Sequence, residues 1–223
     1  ANLLKSLGVR REQRVALALL DTVDYPTAFL GAIRAGVVPV CLNTLLTSEQ
    51  YAYMLADSRS AVLLVSPALL PALRPALAQA PDIAHVIVVG PGAEGRELDF
   101  AALMAKASDD FAPVETHPDE IAFWLYSSGS TGAPKGTKHV HTSLMDTAKL
   151  FAQGVLGMRE GDVVHSAAKL FFAYGLGNSL SFPMSVGATT ILNPERPTPA
   201  SVFATLEKHQ PTIFCGVPTL FAA

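Results

Sequence analysis

Residues 121–136 read Ile-Ala-Phe-Trp-Leu-Tyr-Ser-Ser-Gly-Ser-Thr-Gly-Ala-Pro-Lys-Gly, an apolar run that passes without a break into glycines and hydroxyls closed by Pro134-Lys135-Gly136. The apolar part, 121–126, is short and suits a buried strand. Behind it, Gly129, Gly132 and Gly136 relax the backbone so that its N–H groups can point inward at an anion. Ser127, Ser128, Ser130 and Thr131 add hydroxyls that can rotate to meet phosphate oxygens, and Lys135 adds a positive charge. A strand feeding such a loop, with a helix expected to come directly after it, is a cradle for a polyphosphate. The Walker A arrangement is excluded, because it needs Gly directly before the Lys and Ser or Thr directly after, where this chain has Pro134 and Gly136. A surface turn with no ligand is the competing reading of any short Gly-rich stretch, and the full pattern of 126–136 after a strand argues against it.

Working outward, further short runs rich in Val, Ile and Leu lie at 14–20, 37–42, 61–66, 85–90, 163–168, 189–193 and 212–217, each bounded by Gly, Pro, Asp or Asn. They read as buried strands. Between most of them lie stretches of helical character at 25–35, 47–57, 99–106, 142–155 and 199–209. This alternation predicts an α/β fold of layered, largely parallel sheets with helices on both faces. Thr47-Ser48-Glu49-Gln50 matches a capping box, and Pro26 suits a first helical turn. Across 67–81, Pro71 and Pro75 predict two short helical pieces rather than one. The polar stretches 91–98 and 109–119 flank one short helix, so 91–119 is expected to connect two sheets.

The chain has 223 residues, half of them hydrophobic, and a net charge of −3, enough to bury a sizeable core. Its 16 Lys and Arg are scattered and form no stripe of the kind that neutralises nucleic-acid phosphates. The longest apolar run, 15–20, falls far short of the roughly 20 residues that cross a bilayer. Neither nucleic acid nor membrane is therefore an expected partner. Cys41 and Cys215 each sit in an apolar run, as buried free thiols do, which fits a reducing cytoplasm and offers no disulfide framework or metal cluster. The chain opens without Met or a leader pattern, and Pro218 stands where another helix would begin just before its end, so both ends are expected to be internal cuts.

The loop resembles that of the adenylate-forming superfamily of acyl-CoA synthetases, nonribosomal-peptide adenylation domains and luciferases, whose signature is a Ser/Thr/Gly-rich loop closed by Pro-Lys-Gly. Residues 32–40, Ala-Ile-Arg-Ala-Gly-Val-Val-Pro-Val, are similar to an upstream helix-to-strand element of that family, and the likeness runs over essentially all 223 residues. The resemblance implies that 1–223 is part of an N-terminal adenylation core. It implies a reaction in which a carboxylate attacks the α-phosphorus of ATP with Mg²⁺ assisting, and coenzyme A then displaces AMP. Ser127, Ser128, Gly129, Ser130, Thr131, Gly132 and Lys135 would hold the β- and γ-phosphates. Thr131 and Lys135 would be the catalytic side chains.

Residues 169–179, Lys-Leu-Phe-Phe-Ala-Tyr-Gly-Leu-Gly-Asn-Ser, follow an expected strand and open a helix running through Phe182. Aromatic and small residues together can shape a flat slot, although Phe171, Phe172 and Phe182 taken singly also suit a core. The order Phe-Phe-Ala-Tyr-Gly-Leu-Gly-Asn is similar to that of benzoate-CoA ligases and related aryl-CoA ligases. That likeness implies that Ala173, Tyr174 and Phe182 line a pocket for an aromatic carboxylate, benzoate above all, and that the enzyme serves aromatic compound degradation.

His139 and His141, two residues apart with no Cys or carboxylate cluster nearby, make a poor metal pair, and His141 with Thr142 is expected near a helix cap. The superfamily's Mg²⁺-binding Glu, ribose-binding Asp and mobile C-terminal lid with its catalytic Lys lie outside the chain, so the chain alone is expected to be inactive or nearly so. The alternatives are another acyl-CoA synthetase or peptide-synthetase adenylation domain, or a stand-alone nucleotide-binding or interaction fragment. A homo-oligomer stays open.

Overall fold

The computed structural model describes residues 1–127 and 133–222, which divide into two compact units. The first comprises Ala1–Leu20 and Asp24–His141, and the second Asp21–Val23 and Thr142–Ala223.

The first unit is built on a seven-stranded sheet. Its strands are β1 (Arg14–Ala18), β2 (Val38–Cys41), β3 (Ser60–Val65), β4 (His85–Val88), β5 (Leu98–Asp99), β6 (Ile121–Ser127) and β7 (Lys135–Val140), in the order β5-β4-β3-β1-β2-β6-β7. All pairings are parallel except β6 with β7. Side chains alternate across a strand, so β1 sends Ala16 and Ala18 to one face and Val15 and Leu17 to the other. The first face meets Leu63, Val65, Tyr51, Leu55 and Leu73, the last three from α3 (Ser48–Ser58) and α4 (Leu70–Leu77). The second lies against Leu4 of α1 (Asn2–Ser6), Ala32 of α2 (Asp24–Arg34) and Phe100 of α5 (Phe100–Lys106). Both faces are thus covered, which is why the inner strands are apolar throughout. Each fully buried Leu of this core, Leu17 and Leu63 among them, contributes about 1.5–3 kcal/mol.

The layered, largely parallel α/β architecture read from the alternation is present. Thr47 caps α3 in a complete capping box with Gln50. The stretch 67–81 forms two helical pieces, a 3₁₀ turn Pro67–Leu69 and then α4, but the break falls ahead of Pro71, which occupies the first turn of α4 and costs no hydrogen bond there. Pro75 is accommodated inside the helix. Residues 91–119 do not connect two sheets. They carry β5 and α5 between β4 and β6 of one sheet, because Leu98 and Asp99 extend the ladder beside Ile87 and Val88.

The glycine-rich loop does not lead directly into a helix, as its sequence suggested, but into β7, antiparallel to β6. The sequence Lys-Gly-Thr-Lys-His-Val lacks the apolar alternation of a half-buried strand, and it needs none at a sheet edge, where Lys135 and Lys138 also discourage further pairing. The helix begins at Thr142, as α6 (Thr142–Thr147), and continues as a π-helical turn over Ala148–Gln153.

The second unit holds a three-stranded parallel sheet of β8 (Val163–Ser166), β9 (Thr189–Ile191) and β10 (Ile213–Cys215), in the order β10-β8-β9. Residues 173–186 form one helical run: α7 (Ala173–Leu176), a π-helical turn Gly177–Ser181, and α8 (Phe182–Val186). Ala148, Ala152, Met158, Val164 and Phe182 form one buried cluster of this unit, and Leu170, Leu176 and Leu180 are buried in it as well. Outside them run α9 (Pro199–His209), capped by Thr198, and α10 (Pro218–Phe221). Cys41 lies in β2 and Cys215 in β10, both buried and free.

Candidate functional site

β6 and β7, the strands before and after the glycine-rich stretch, pair antiparallel. Ser127 ends β6 directly opposite Lys135, which starts β7, and Tyr126 stands opposite Gly136. Since β6 runs parallel to β2, Ser127 lies at the carboxyl end of the parallel strands, the edge outside which open α/β sheets bind their ligands. Ser128, Gly129, Ser130, Thr131 and Gly132 lie outside the described residues. Ser127 and Lys135, the two described members of the expected phosphate site, are both exposed, and Lys135 forms no ion pair among the described residues.

The stem that holds this loop is fixed from below. The Tyr126 hydroxyl donates to Asp57 Oδ2 at 2.6 Å, with the Met54 carbonyl at 3.3 Å, tying β6 to α3. Burial, and then the neighbouring Asp57 carboxylate, push this phenol above its usual range, so it remains a neutral donor. On the next strand a Cβ on Gly136 would stand 3.1 Å from the Trp124 indole, so the indole packs against bare backbone. The Lys138 ammonium sits 5.6 Å from the centre of the same ring.

The histidines after the loop sit at the end of β7 and just ahead of α6. His139 stacks on Phe123 with ring centres 4.6 Å apart, and burial lowers its pKa, which keeps the ring neutral. The His141 backbone N–H donates to the Glu120 carbonyl at 3.2 Å, one residue ahead of α6. Among the described residues no group of three His, Cys, Asp or Glu side chains is placed to hold a metal ion.

In the second unit the chain leaves β8 and turns back tightly over residues 169–175. The Lys169 carbonyl accepts from the Phe172 N–H at 3.0 Å, and a Cβ on Gly175 would fall 2.0 Å from the same oxygen, so only glycine fits there. Leu170 and Phe171 are buried, whereas Phe172, Ala173 and Tyr174 are exposed together at the top of the turn. The Tyr174 hydroxyl donates to the Gly216 carbonyl at 3.3 Å, just beyond β10. Asn178, 1% exposed, donates to the Tyr174 carbonyl at 2.9 Å, and its Oδ1 is buried without a hydrogen-bond partner among the described residues.

Ala173 and Tyr174 are therefore presented side by side. Phe182 is not with them: it is 9% exposed in the core of the unit, and its ring covers Gly177, where a Cβ would stand 2.8 Å away. The helical run from 173 places it one π-turn beyond, on the inward side.

Sequence reasoning passed over the group beneath this turn. Both Asp21 carboxylate oxygens lie 3.3 Å from the Leu170 N–H, and Lys169 Nζ stands 4.0 Å away. Lys169 Nζ also donates to the carbonyls of Asn193 and Glu195, at 2.5 Å each, behind β9. Burial pushes the Asp21 carboxyl up to about 6 against the pull of Lys169 and the Leu170 N–H, and burial likewise lowers Lys169. The signal was a carboxylate directly after the apolar run 15–20.

Residues 1–223 match the family described as AMP-binding enzyme. The chain is 56% identical over 218 residues to the benzoate-CoA ligase of Thauera aromatica, covering 98% of this chain and 41% of that protein. It is 53% identical over 221 residues to the 4-hydroxybenzoate-CoA/benzoate-CoA ligase of Rhodopseudomonas palustris, again covering 41% of it. The crystal structure of a benzoate CoA ligase from Burkholderia xenovorans LB400 superposes with a TM-score of 0.91 at 51% identity, over 99% of this chain and 43% of that one. An anthranilate CoA ligase, AuaEII, solved with anthranoyl-AMP, gives a TM-score of 0.94 at 37% identity, over 96% of this chain and 41% of that one. The chain thus spans about two fifths of the length of these relatives, and a match along its whole length establishes that it belongs to the AMP-binding enzyme family.

Proposed function

We propose that this chain carries the phosphate loop and part of the acid slot of an ATP-dependent benzoate-CoA ligase. The observation that supports this most is the 56% identity to a benzoate-CoA ligase over 98% of the chain. In the first half-reaction a benzoate oxygen attacks the α-phosphorus of ATP, the bond from that phosphorus to the bridging oxygen breaks, and pyrophosphate leaves. In the second the CoA thiol attacks the acyl carbon, AMP leaves with the former carboxylate oxygen, and the thiol proton passes to solvent. The reaction as a whole is that of a complete ligase of the relatives' length, of which these residues span about two fifths.

The loop from Ser127 to Lys135 holds the β- and γ-phosphates in this reading, with the N–H groups and hydroxyls of Ser128, Gly129, Ser130, Thr131 and Gly132 as donors. Lys135 neutralises charge on the departing pyrophosphate, the kind of positioning and electrostatic help that phosphoryl chemistry needs. Among the described residues no group of three His, Cys, Asp or Glu side chains is placed to hold a metal ion, and no residue here is assigned to Mg²⁺. Ala173 and Tyr174 bound the slot for the ring, and Ala173 leaves it room. Phe182 supports the slot from the core. A ring hydroxylated at the 4-position is a second reading, favoured by the relative from Rhodopseudomonas palustris. Two buried free cysteines and the lack of any helix long and apolar enough to cross a membrane, among the described residues, support a cytoplasmic setting.

The reaction is tested in the complete ligase with benzoate, ATP and CoA, by resolving the nucleotide products. AMP and pyrophosphate are expected, with benzoate preferred over acetate and long-chain fatty acids. ADP as product, or acetate as the better substrate, would reject the reading.

A further inference from the structure

We propose that Asp21 is a positioning residue for the aromatic-acid slot: its buried carboxylate clamps the turn 169–175 from beneath and thereby sets where Ala173 and Tyr174 stand. The inference rests on the reading of that turn as the acid slot.

The clamp is a three-way junction. Asp21, 4% exposed, receives the Leu170 N–H on both oxygens at 3.3 Å. Lys169, 4.0 Å from the carboxylate, carries the junction on to the carbonyls of Asn193 and Glu195 at 2.5 Å. The segment after β1, the segment after β8 and the segment after β9 therefore meet at one ion pair. All the groups involved belong to the second unit. The next two residues, Leu170 and Phe171, are buried, and the exposed triplet 172–174 comes immediately after them. Between the clamp at Leu170 and the Tyr174 hydroxyl at Gly216, the triplet is pinned at both ends.

Burying a charge for strength alone is a poor arrangement, because desolvation commonly outweighs the attraction of the pair. That is the case here. A carboxyl pushed up to about 6 from 3.8 by burial is held more loosely when ionised than in the unfolded chain. Its folded pKa lies above its unfolded one, so its contribution to stability is lost as pH rises from about 4 to about 6. At neutral pH the ionised Asp21 contributes geometry rather than net stability. A shift of the order of 1 Å in a group that positions a substrate can change rates by as much as about a hundredfold, so a clamp of this kind has a measurable consequence.

The experiment compares Asp21→Ala and Asp21→Asn with wild type in the complete ligase, reading KM for benzoate and for ATP from pyrophosphate release, and the melting temperature of each protein. Asp21→Ala removes the clamp and is expected to raise the benzoate KM about five- to twentyfold while the ATP KM stays within about twofold. Asp21→Asn keeps one acceptor for the Leu170 N–H and loses the charge facing Lys169. It is expected to fold, melt close to wild type at pH 7.5 and show a smaller benzoate-specific rise. A purely structural role predicts the opposite pairing, a lowered melting temperature with both KM values moving together, and that result overturns the proposal. Ala173→Leu is the control on the slot itself. If it raises the benzoate KM and neither Asp21 variant does, the positioning role is rejected while the slot stands. If Ala173→Leu leaves the benzoate KM unchanged, the slot reading fails and the proposal falls with it. Should Asp21→Ala not fold, Asp21→Asn decides alone, and an unchanged benzoate KM in it overturns the role.

Discussion

Lys135 starts an edge strand opposite Ser127 with its side chain exposed, and exposure makes its two possible roles separable. Surface substitutions away from caps and buried networks change stability by no more than about 0.5 kcal/mol, so Lys135→Ala is expected to unfold at nearly the wild-type denaturant concentration. Its charge matters where pyrophosphate forms and leaves. A hydrogen bond to a charged group contributes about 1.5–3 kcal/mol, which corresponds to a loss of roughly ten- to a hundredfold in rate. Adenylation of benzoate by the complete ligase should slow by that factor, while attack of CoA on preformed benzoyl adenylate should be spared. Single-turnover measurements of the two half-reactions give the comparison. Equal slowing of both, or a clear loss of stability, would assign Lys135 to the scaffold. Asp21 stands at the other extreme among the ionisable groups, buried and paired, so a substitution there cannot separate charge from shape without the conservative Asn.

The turn 169–175 carries the same reasoning to the scale of an element. A Cβ at Gly175 would lie 2.0 Å from the Lys169 carbonyl oxygen, which is backbone and cannot swing aside. Gly175→Ala should therefore force the turn open, costing about 1–3 kcal/mol as overpacking does and raising the benzoate KM along with it. Urea unfolding and substrate kinetics of the same preparation check both halves; a variant as stable as wild type would mean that the turn relaxes freely. Eight of the ten described strands could be read from apolar runs because burial on both faces of a parallel sheet writes itself directly into composition. β7 and β5 could not, since an edge strand of Lys, Gly, Thr and His and a two-residue ladder carry no such imprint. Thr47 and Gln50 announced their capping box because capping is a local side-chain matter. β6 was legible as the apolar run ahead of the loop, whereas its antiparallel pairing with β7 was not. The clamp at Asp21 joins residues 149 positions apart, and neither periodicity nor motif spacing reports a partner at that distance. Phe182 was carried to the slot by likeness alone, and the π-turn before it turns the ring into the core.

At the scale of the whole molecule, the two units differ in how much apolar structure each closes around itself. β1 and β3 of the first unit run through its middle, and Ala16, Leu17, Leu63 and Val65 are wholly buried. The second unit has strands of four, three and three residues, shorter than the five and six residues of β1 and β3. On its helical turn and the residues after it, Leu150, Phe151, Val155 and Leu156 are exposed, so apolar area that could stabilise the unit is left in water. Regions with few buried apolar groups open locally at a fraction of the global free energy. Unfolding of this chain is accordingly expected to depart from a single two-state transition, with the second unit opening first. Native-state amide exchange tests this residue by residue. Protection in β1 and β3 should exceed that in β9 and β10 by at least about a hundredfold, equivalent to about 2.7 kcal/mol. The turn 169–175 should behave differently from the strands near it, because Leu170 N–H is held by a buried carboxylate, and in Asp21→Ala its protection should fall towards that of β9. Equal protection in the two sheets would show that the chain opens as one cooperative body, and the short strands of the second unit would then not set where it opens.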